Sequence, residues 1–242
     1  MILILGNNAD DIIYIKTKMD IERVDEIALN HPVYVGVYSG KDIVLTYTKP
    51  TNTVSSIITA LCIEKYRPYI VISIGSVSAY NEILHQGDIL LVERIYNGDV
   101  DLTTFGNVKY GQIVGLPEFY TSEDDYISMV ETINSRSINH NIHRASLIST
   151  NKFYTSKEAA NELINLHFAA VDRIGAFDTE LGGIASACAV FDTPWLAIKS
   201  VNYVIGHDNE LLTFVRKGIE NEPIVGSLIS SLFNNLIYSI EN

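Results

Sequence analysis

The chain has 242 residues, 47% of them hydrophobic and 19% charged, with a formal net charge of −12 at pH 7. That is enough chain to bury a core, and the acidic balance excludes a nucleic-acid surface built on basic patches. No apolar run approaches the ~20 residues of a membrane span. Cys62 and Cys188 sit in apolar helical contexts without metal-ligand spacing, and MILILG has neither a basic n-region nor a cleavage site. Buried free thiols, no signal peptide and a cytoplasmic location are expected.

In chain order, residues 2–5 are a continuous apolar run ending at Gly6, the pattern of a first buried strand. A helix is expected after Asn7, carrying Ile12, Ile13 and Ile15, with Asp10 and Asp11 as acids at its start. Residues 33–40 and 43–47 alternate around Ser39-Gly40-Lys41-Asp42 and predict an antiparallel hairpin. Residues 53–66 have helical apolar spacing, closed by Pro68. Residues 69–74 predict a second buried strand ending at Gly75-Ser76, where glycine lets backbone N–H groups approach a ligand.

Another apolar strand follows Gly87-Asp88. Residues 98–120 then form a long excursion, with Phe105, Tyr110, Phe119 and Tyr120 available to cover a pocket or a subunit interface. A capped helix is predicted over 122–134, a strand over 144–150, and a helix from Thr155 or Ser156 to Leu166. Residues 169–174 read as a strand. The small, apolar run after Asp178 and Glu180 reads as a helix that approaches a sheet closely, and WLAIKSV reads as a buried strand ending in Ser200-Val201-Asn202-Tyr203. Terminal helices are predicted over 210–218 and 223–240, the second with a stripe of Val225, Leu228, Leu232, Leu236 and Ile240.

Strands and helices alternate without linker, repeat or charge block, which predicts one domain over 1–242. The fold expected is α/β, three layers (α/β/α) around a central mixed β-sheet. There is no G-x-G-x-x-G, P-loop, H-E-x-x-H or G-x-S-x-G, so neither a cofactor nor a metal is implied.

The ordered run GDIL, DVDLTTFG, YGQ and GLP, together with Gly75-Ser76 and the F-D-T-E of Phe177 to Glu180, resembles the nucleoside phosphorylase and nucleosidase superfamily, on its nucleosidase branch. The resemblance covers nearly the whole chain. It implies a nucleoside phosphorylase-like fold, a homodimer and a small-molecule nucleoside substrate. The activity implied is hydrolysis of a purine N-glycosidic bond, with 5′-methylthioadenosine or S-adenosylhomocysteine as substrate and adenine as product. Alternatives are a catalytically impaired nucleoside- or adenine-binding homologue, or a nucleosidase or phosphorylase of altered base specificity.

By this resemblance Asp11 falls on a water-activating glutamate and Ser76 on a serine near that water. Phe153 falls on the phenylalanine stacking on the base, and Glu180 on the glutamate holding the ribose hydroxyls. Tyr154, Thr179 and Asn202 join them as substrate contacts. Phe105 matches a residue lining the 5′-substituent pocket that the partner subunit often supplies. The chain departs from the pattern where an arginine and a purine-protonating aspartate are expected. Those positions fall on Lys199 and Tyr203, with Asn202 taking the second place if the register moves by one. Paired glycines are replaced by Lys49-Pro50-Thr51, a Gly-Ser-Ala-Gly-Gly turn by Gly75-Ser76-Val77-Ser78-Ala79, and an aspartate before Phe153 by Asn151.

Overall fold

The computed structural model describes residues 1–137, 141–206 and 233–240. Strand β1 (Ile2–Gly6) lies between two parallel neighbours, β4 (Lys41–Tyr47) and β5 (Ile70–Ala79). Beyond β4, the antiparallel strands β3 (His31–Tyr38) and β2 (Asp20–Ile27) extend one edge. On the other side β5 pairs with both β10 (Trp195–Val204) and β9 (Ile174–Asp178). Strands β6 (Ile89–Asn97) and β8 (Ile142–Ser149) join those two, so five strands close a ring at one end of the mixed sheet. The two-residue β7 (Tyr120–Thr121) adds to β6.

The central strands read as unbroken apolar runs because both of their faces are covered. Leu3, Leu5, Val71 and Ala197 pack under helices α2 (Asn52–Tyr66) and α5 (Leu181–Val190) through Ile58, Cys62, Ile184 and Cys188. The alternate residues Ile2, Ile4, Ile72 and Ile198 pack on the opposite face. There they meet Ile15 of α1 (Ile13–Lys18), Ile127 and Val130 of α3 (Asp124–Ser137), and Phe233, Leu236 and Ile237 of a helical segment at 233–239. The period of two thus yields the three expected layers. A third, aromatic cluster joins Tyr96, Tyr154, Phe168, Phe177 and Tyr203 beneath helix α4 (Lys157–Leu163) and the π-helical turn Ile164–Phe168 that continues it. Ser156 caps α4 by accepting from the Ala159 N–H.

Several expectations are corrected. The strand expected to end at Gly75-Ser76 runs on to Ala79, since β10 pairs along its whole length. The strand expected over 169–174 begins only at Ile174. Val171, Asp172 and Arg173 are not buried, and the strand is the IGAFD that leads into the F-D-T-E motif. Strands β2 and β7 were not expected. The small residues of α5 bring it close to another helix as well as to the sheet: a Cβ on Gly183 would sit 2.0 Å from the Asn52 carbonyl oxygen of α2. The helix predicted over 210–218 lies outside the described residues, as does 223–232 of the last one.

Candidate active site

A cavity of about 500 Å³ opens where β1, β8 and β9 end and where β5 and β10 bend. Its size suits a small ligand. Of the residues singled out in the sequence, Ser76, Phe153, Tyr154, Thr179, Glu180 and Asn202 line it. Asp11 and Lys199 stand just behind the wall made by Asn7 and Asn8. Phe105 and Tyr203 do not line it.

Asp11 precedes α1 but does not cap it: the residue at that helix start, Ile12, makes no side-chain cap bond. Instead the Asp11 carboxylate turns back on the chain, and its Oδ2 accepts from the N–H groups of Asn7 at 2.8 Å and Asn8 at 3.0 Å. Burial pushes its pKa up, while the Asn8 N–H and the Lys199 charge oppose the rise. A carboxylate whose pKa is raised is more basic than a free one, the property a general base requires.

Lys199 is fully buried in the middle of β10, opposite Gly75 of β5. Its three N–H donors are all matched: Asn7 Oδ1 at 2.6 Å, Ser73 Oγ at 2.9 Å and the Ile74 carbonyl at 3.3 Å. Burial lowers its pKa, and Asp178, Glu180 and Asp11 oppose that shift. The three acids Asp178, Glu180 and Asp11 thus favour the charged form of the lysine that burial disfavours.

Asp178 ends β9 and Glu180 immediately precedes α5. Asp178 Oδ2 accepts from the Leu181 N–H at 2.9 Å, while its Oδ1 is buried without a hydrogen-bond partner among the described residues. Glu180 Oε1 accepts from the Thr179 hydroxyl at 2.6 Å. Burial, then repulsion from Asp178, pushes the Glu180 pKa up to about 7. Between the ordinary carboxylate pKa and about 7, folded Glu180 holds a proton that the unfolded chain releases, so the protein loses stability as pH rises through that window. Glu180→Gln removes this titration. The thermal midpoint of the variant is expected to exceed that of the parent by roughly 5 °C at pH 8 and by much less at pH 5, as followed by calorimetry. A difference independent of pH would show that Glu180 carries no such burial cost.

The choice between Asn202 and Tyr203 is made by the strand geometry. Val201 pairs with Val77 and Tyr203 with Ser78, so Asn202 is one extra residue and β10 bulges there. A bulge re-aims side chains. Asn202 thereby faces the cavity, 8% exposed, with Oδ1 buried and no partner for it among the described residues. The Tyr203 ring joins the aromatic cluster instead, and its hydroxyl donates to the Thr155 carbonyl at 3.2 Å. The expectation of Tyr203 as an active-site residue is therefore corrected: Asn202 lines the cavity and Tyr203 does not.

Phe153 is 40% exposed at the cavity rim. Tyr154 is buried and packs on Phe177 with ring centroids 4.9 Å apart. Phe105 lies in a short turn, Thr103–Phe105, and is 69% exposed. Asn7 was missed in the sequence, and Asp178 was read there only as an acid before a helix and as part of the F-D-T-E motif, without a site role. Each is a polar residue at the end of an apolar strand, the position from which open α/β sheets present ligands. Among the described residues no group of three His, Cys, Asp or Glu side chains is arranged to hold a metal ion, and no helix is long and apolar enough to cross a membrane.

A family model described as the phosphorylase superfamily matches residues 2–233. The 5′-methylthioadenosine/S-adenosylhomocysteine nucleosidase of Listeria welshimeri serovar 6b is 30% identical over 202 residues, covering 82% of this chain and 84% of the relative. That of Bacillus subtilis strain 168 is 23% identical over 208 residues, 86% and 87% of the two chains. Among solved structures, the Neisseria meningitidis nucleosidase in complex with methylthio-immucillin-A superposes with a TM-score of 0.85 at 22% identity, over 99% of both chains. The Streptococcus pneumoniae enzyme in complex with 8-aminoadenine gives 0.85 at 20% identity, again over 99% of both. A family match over nearly the whole sequence, on a sheet whose strand ends gather acids around one cavity, places this chain in the phosphorylase superfamily, on the branch of the 5′-methylthioadenosine/S-adenosylhomocysteine nucleosidases.

Proposed function

We propose that the protein hydrolyses the N-glycosidic bond of a 5′-thio-substituted adenosine, 5′-methylthioadenosine or S-adenosylhomocysteine, releasing adenine. The observation that carries this reading is a single cavity lined by Ser76, Phe153, Glu180 and Asn202, with the Asp11 carboxylate held behind it by the N–H groups of the lining residues Asn7 and Asn8. Water held near Ser76 gives a proton to Asp11 as its oxygen bonds to the ribose C1′. The C1′–N9 bond breaks, its electron pair leaves with the base, and the base takes a proton from solvent to become adenine. Glu180 accepts hydrogen bonds from the ribose hydroxyls, a task that requires its ionised form. Phe153 stacks on the base.

Asn202 bears on both specificity and rate. A carboxamide can accept from the adenine N6 amino group and donate to N7 at once, whereas 6-oxopurines present two acceptors there. It selects adenine without supplying a proton. For that reason a second reading stays attached to the first: a site that binds adenine and its nucleosides but turns them over slowly.

Incubation with 5′-methylthioadenosine, with and without phosphate, separates the readings. Hydrolysis gives adenine at a rate that phosphate does not change. Release that needs phosphate assigns phosphorolysis. Adenine binding by calorimetry with no release at high enzyme concentration leaves only the binding role, and loss of both defeats the assignment.

The unit of function is the whole chain, 1–242, acting as a homodimer in which the exposed Phe105 of one copy reaches the 5′ end of the other copy's cavity. Sedimentation analysis at micromolar concentration tests the dimer. The two free, buried cysteines suit a cytoplasmic setting, where thiols stay reduced.

A further inference from the structure

Asn7 ends the turn out of β1 and has no counterpart among the residues assigned a role above, yet it joins three strands. Its Oδ1 accepts from Lys199 Nζ of β10 at 2.6 Å, and its Nδ2 donates to the Ser76 carbonyl of β5 at 2.9 Å. Its own N–H donates to Asp11 Oδ2 at 2.8 Å. The orientation of the amide is fixed by chemistry, because lysine only donates and a carbonyl only accepts. Asn7 is 8% exposed and lines the cavity.

Gly75 shows how closely the surroundings fit this side chain. It holds φ = +130°, and a Cβ there would stand 2.6 Å from Asn7 Cγ and 2.9 Å from Asp11 Oδ2. Only glycine leaves room for the carboxamide and the carboxylate together. Lys199, with all three donors used, has no donor left for Ser76 or Asp11. Beside its direct bonds to Ser73 and Ile74, its link to the Ser76 carbonyl passes through the Asn7 side chain.

We infer that Asn7 is a positioning residue for hydrolysis: its carboxamide is a relay that carries the fixed placement of Lys199 to the Ser76 backbone, so that lysine and asparagine together act as one long hydrogen-bonding arm. The inference rests on the hydrolytic reading above. The relay aligns the water-activating wall and does not grip the nucleoside, so its loss falls on kcat and not on KM. A longer donor at 199 that reached the Ser76 carbonyl directly would make it dispensable.

The test compares the wild type, Asn7→Ala, and Asn7→Ala combined with Lys199→Arg in the adenine-release assay, with thermal unfolding and adenine affinity measured alongside. Asn7→Ala is expected to lower kcat about 10²-fold, the cost of a misplaced catalytic group, with KM changed by less than about threefold. The arginine, whose planar fork reaches farther, is expected to restore about tenfold of that loss. Should alanine cost the fold, Asn7→Asp keeps the acceptor for Lys199, loses the donor to Ser76, and carries the same expected fall in kcat. Unchanged kcat in an active, folded Asn7 variant overturns the relay while leaving the hydrolytic reading standing. A fall without rescue by arginine overturns it too, assigning Asn7 a purely structural role. A wild type that releases no adenine defeats the hydrolytic reading and the relay with it.

Discussion

Asp11→Asn is expected to lower the rate of adenine release about 10²–10⁴-fold, the usual worth of a positioned general base, while adenine binds as before. The substitution is close to a pure removal of basicity. An asparagine oxygen can still accept from the Asn7 and Asn8 N–H groups that now hold Oδ2, so the turn between β1 and α1 keeps its hydrogen bonds. Stability should change little, because the carboxylate was raised in pKa by burial and its loss removes a buried charge as well as its partners. The pH profile sharpens the test. A base whose pKa is raised must lose its proton before it acts, so the acid limb of kcat/KM should lie above the range of an ordinary aspartate. The Glu180 ionisation near pH 7 adds a second inflection on the same limb. Removing Asp11 should leave the Glu180 inflection and abolish the one that belongs to Asp11. A variant rate within about twofold of the parent would assign water activation to another group, with Asp178 the first to consider.

The layers were legible where burial is two-sided. ILIL, VISI and LAIKSV are continuous apolar runs, and the structure shows both of their faces covered. Strand β2 was not legible because it is a charged edge: of its eight residues, DIERVDEI, none is fully buried, and it exists through pairing with β3. Acidic and basic side chains on such an edge discourage further strand addition, at the cost of hiding the alternation a reader looks for. Strand β9 was placed five residues early because AAVDRI has the composition of a strand while the chain there is still turning. At the site, Glu180 and Phe153 were found through the family pattern, and both line the cavity. Asn7 was missed for a physical reason: its partner Lys199 is 192 positions away, and no local pattern records that meeting. The register at Asn202 was undecidable in the same way, since a period of two carries no trace of a bulge until the pairing with β5 is known.

That bulge carries the largest expected gain. Asn202→Asp is expected to raise the rate of adenine release about 10²–10⁴-fold, because it places an acid where the amide now stands without changing its shape. The leaving base accepts the electron pair of the broken C1′–N9 bond, and a proton delivered to N7 during the break neutralises the charge that would otherwise develop on the ring. Asn202 can only lend a hydrogen bond there, whereas a carboxylic acid in its place can transfer the proton. The introduced carboxyl will be desolvated and will share the cavity with the carboxylates of Asp178 and Glu180, and both effects favour its neutral form. It should therefore hold its proton well above the usual carboxylate range, and the rate should fall as pH rises through its pKa, a basic limb the parent lacks. Tyr203→Phe provides the contrast. Its hydroxyl donates to the Thr155 carbonyl outside the cavity, so the variant should lose roughly 0.5–1.5 kcal/mol of stability and keep its rate. If the Asn202→Asp variant binds adenine yet turns over no faster, proton transfer to the base is not what limits this enzyme. If Tyr203→Phe is the variant that changes the rate, the bulge does not present Asn202 to the base.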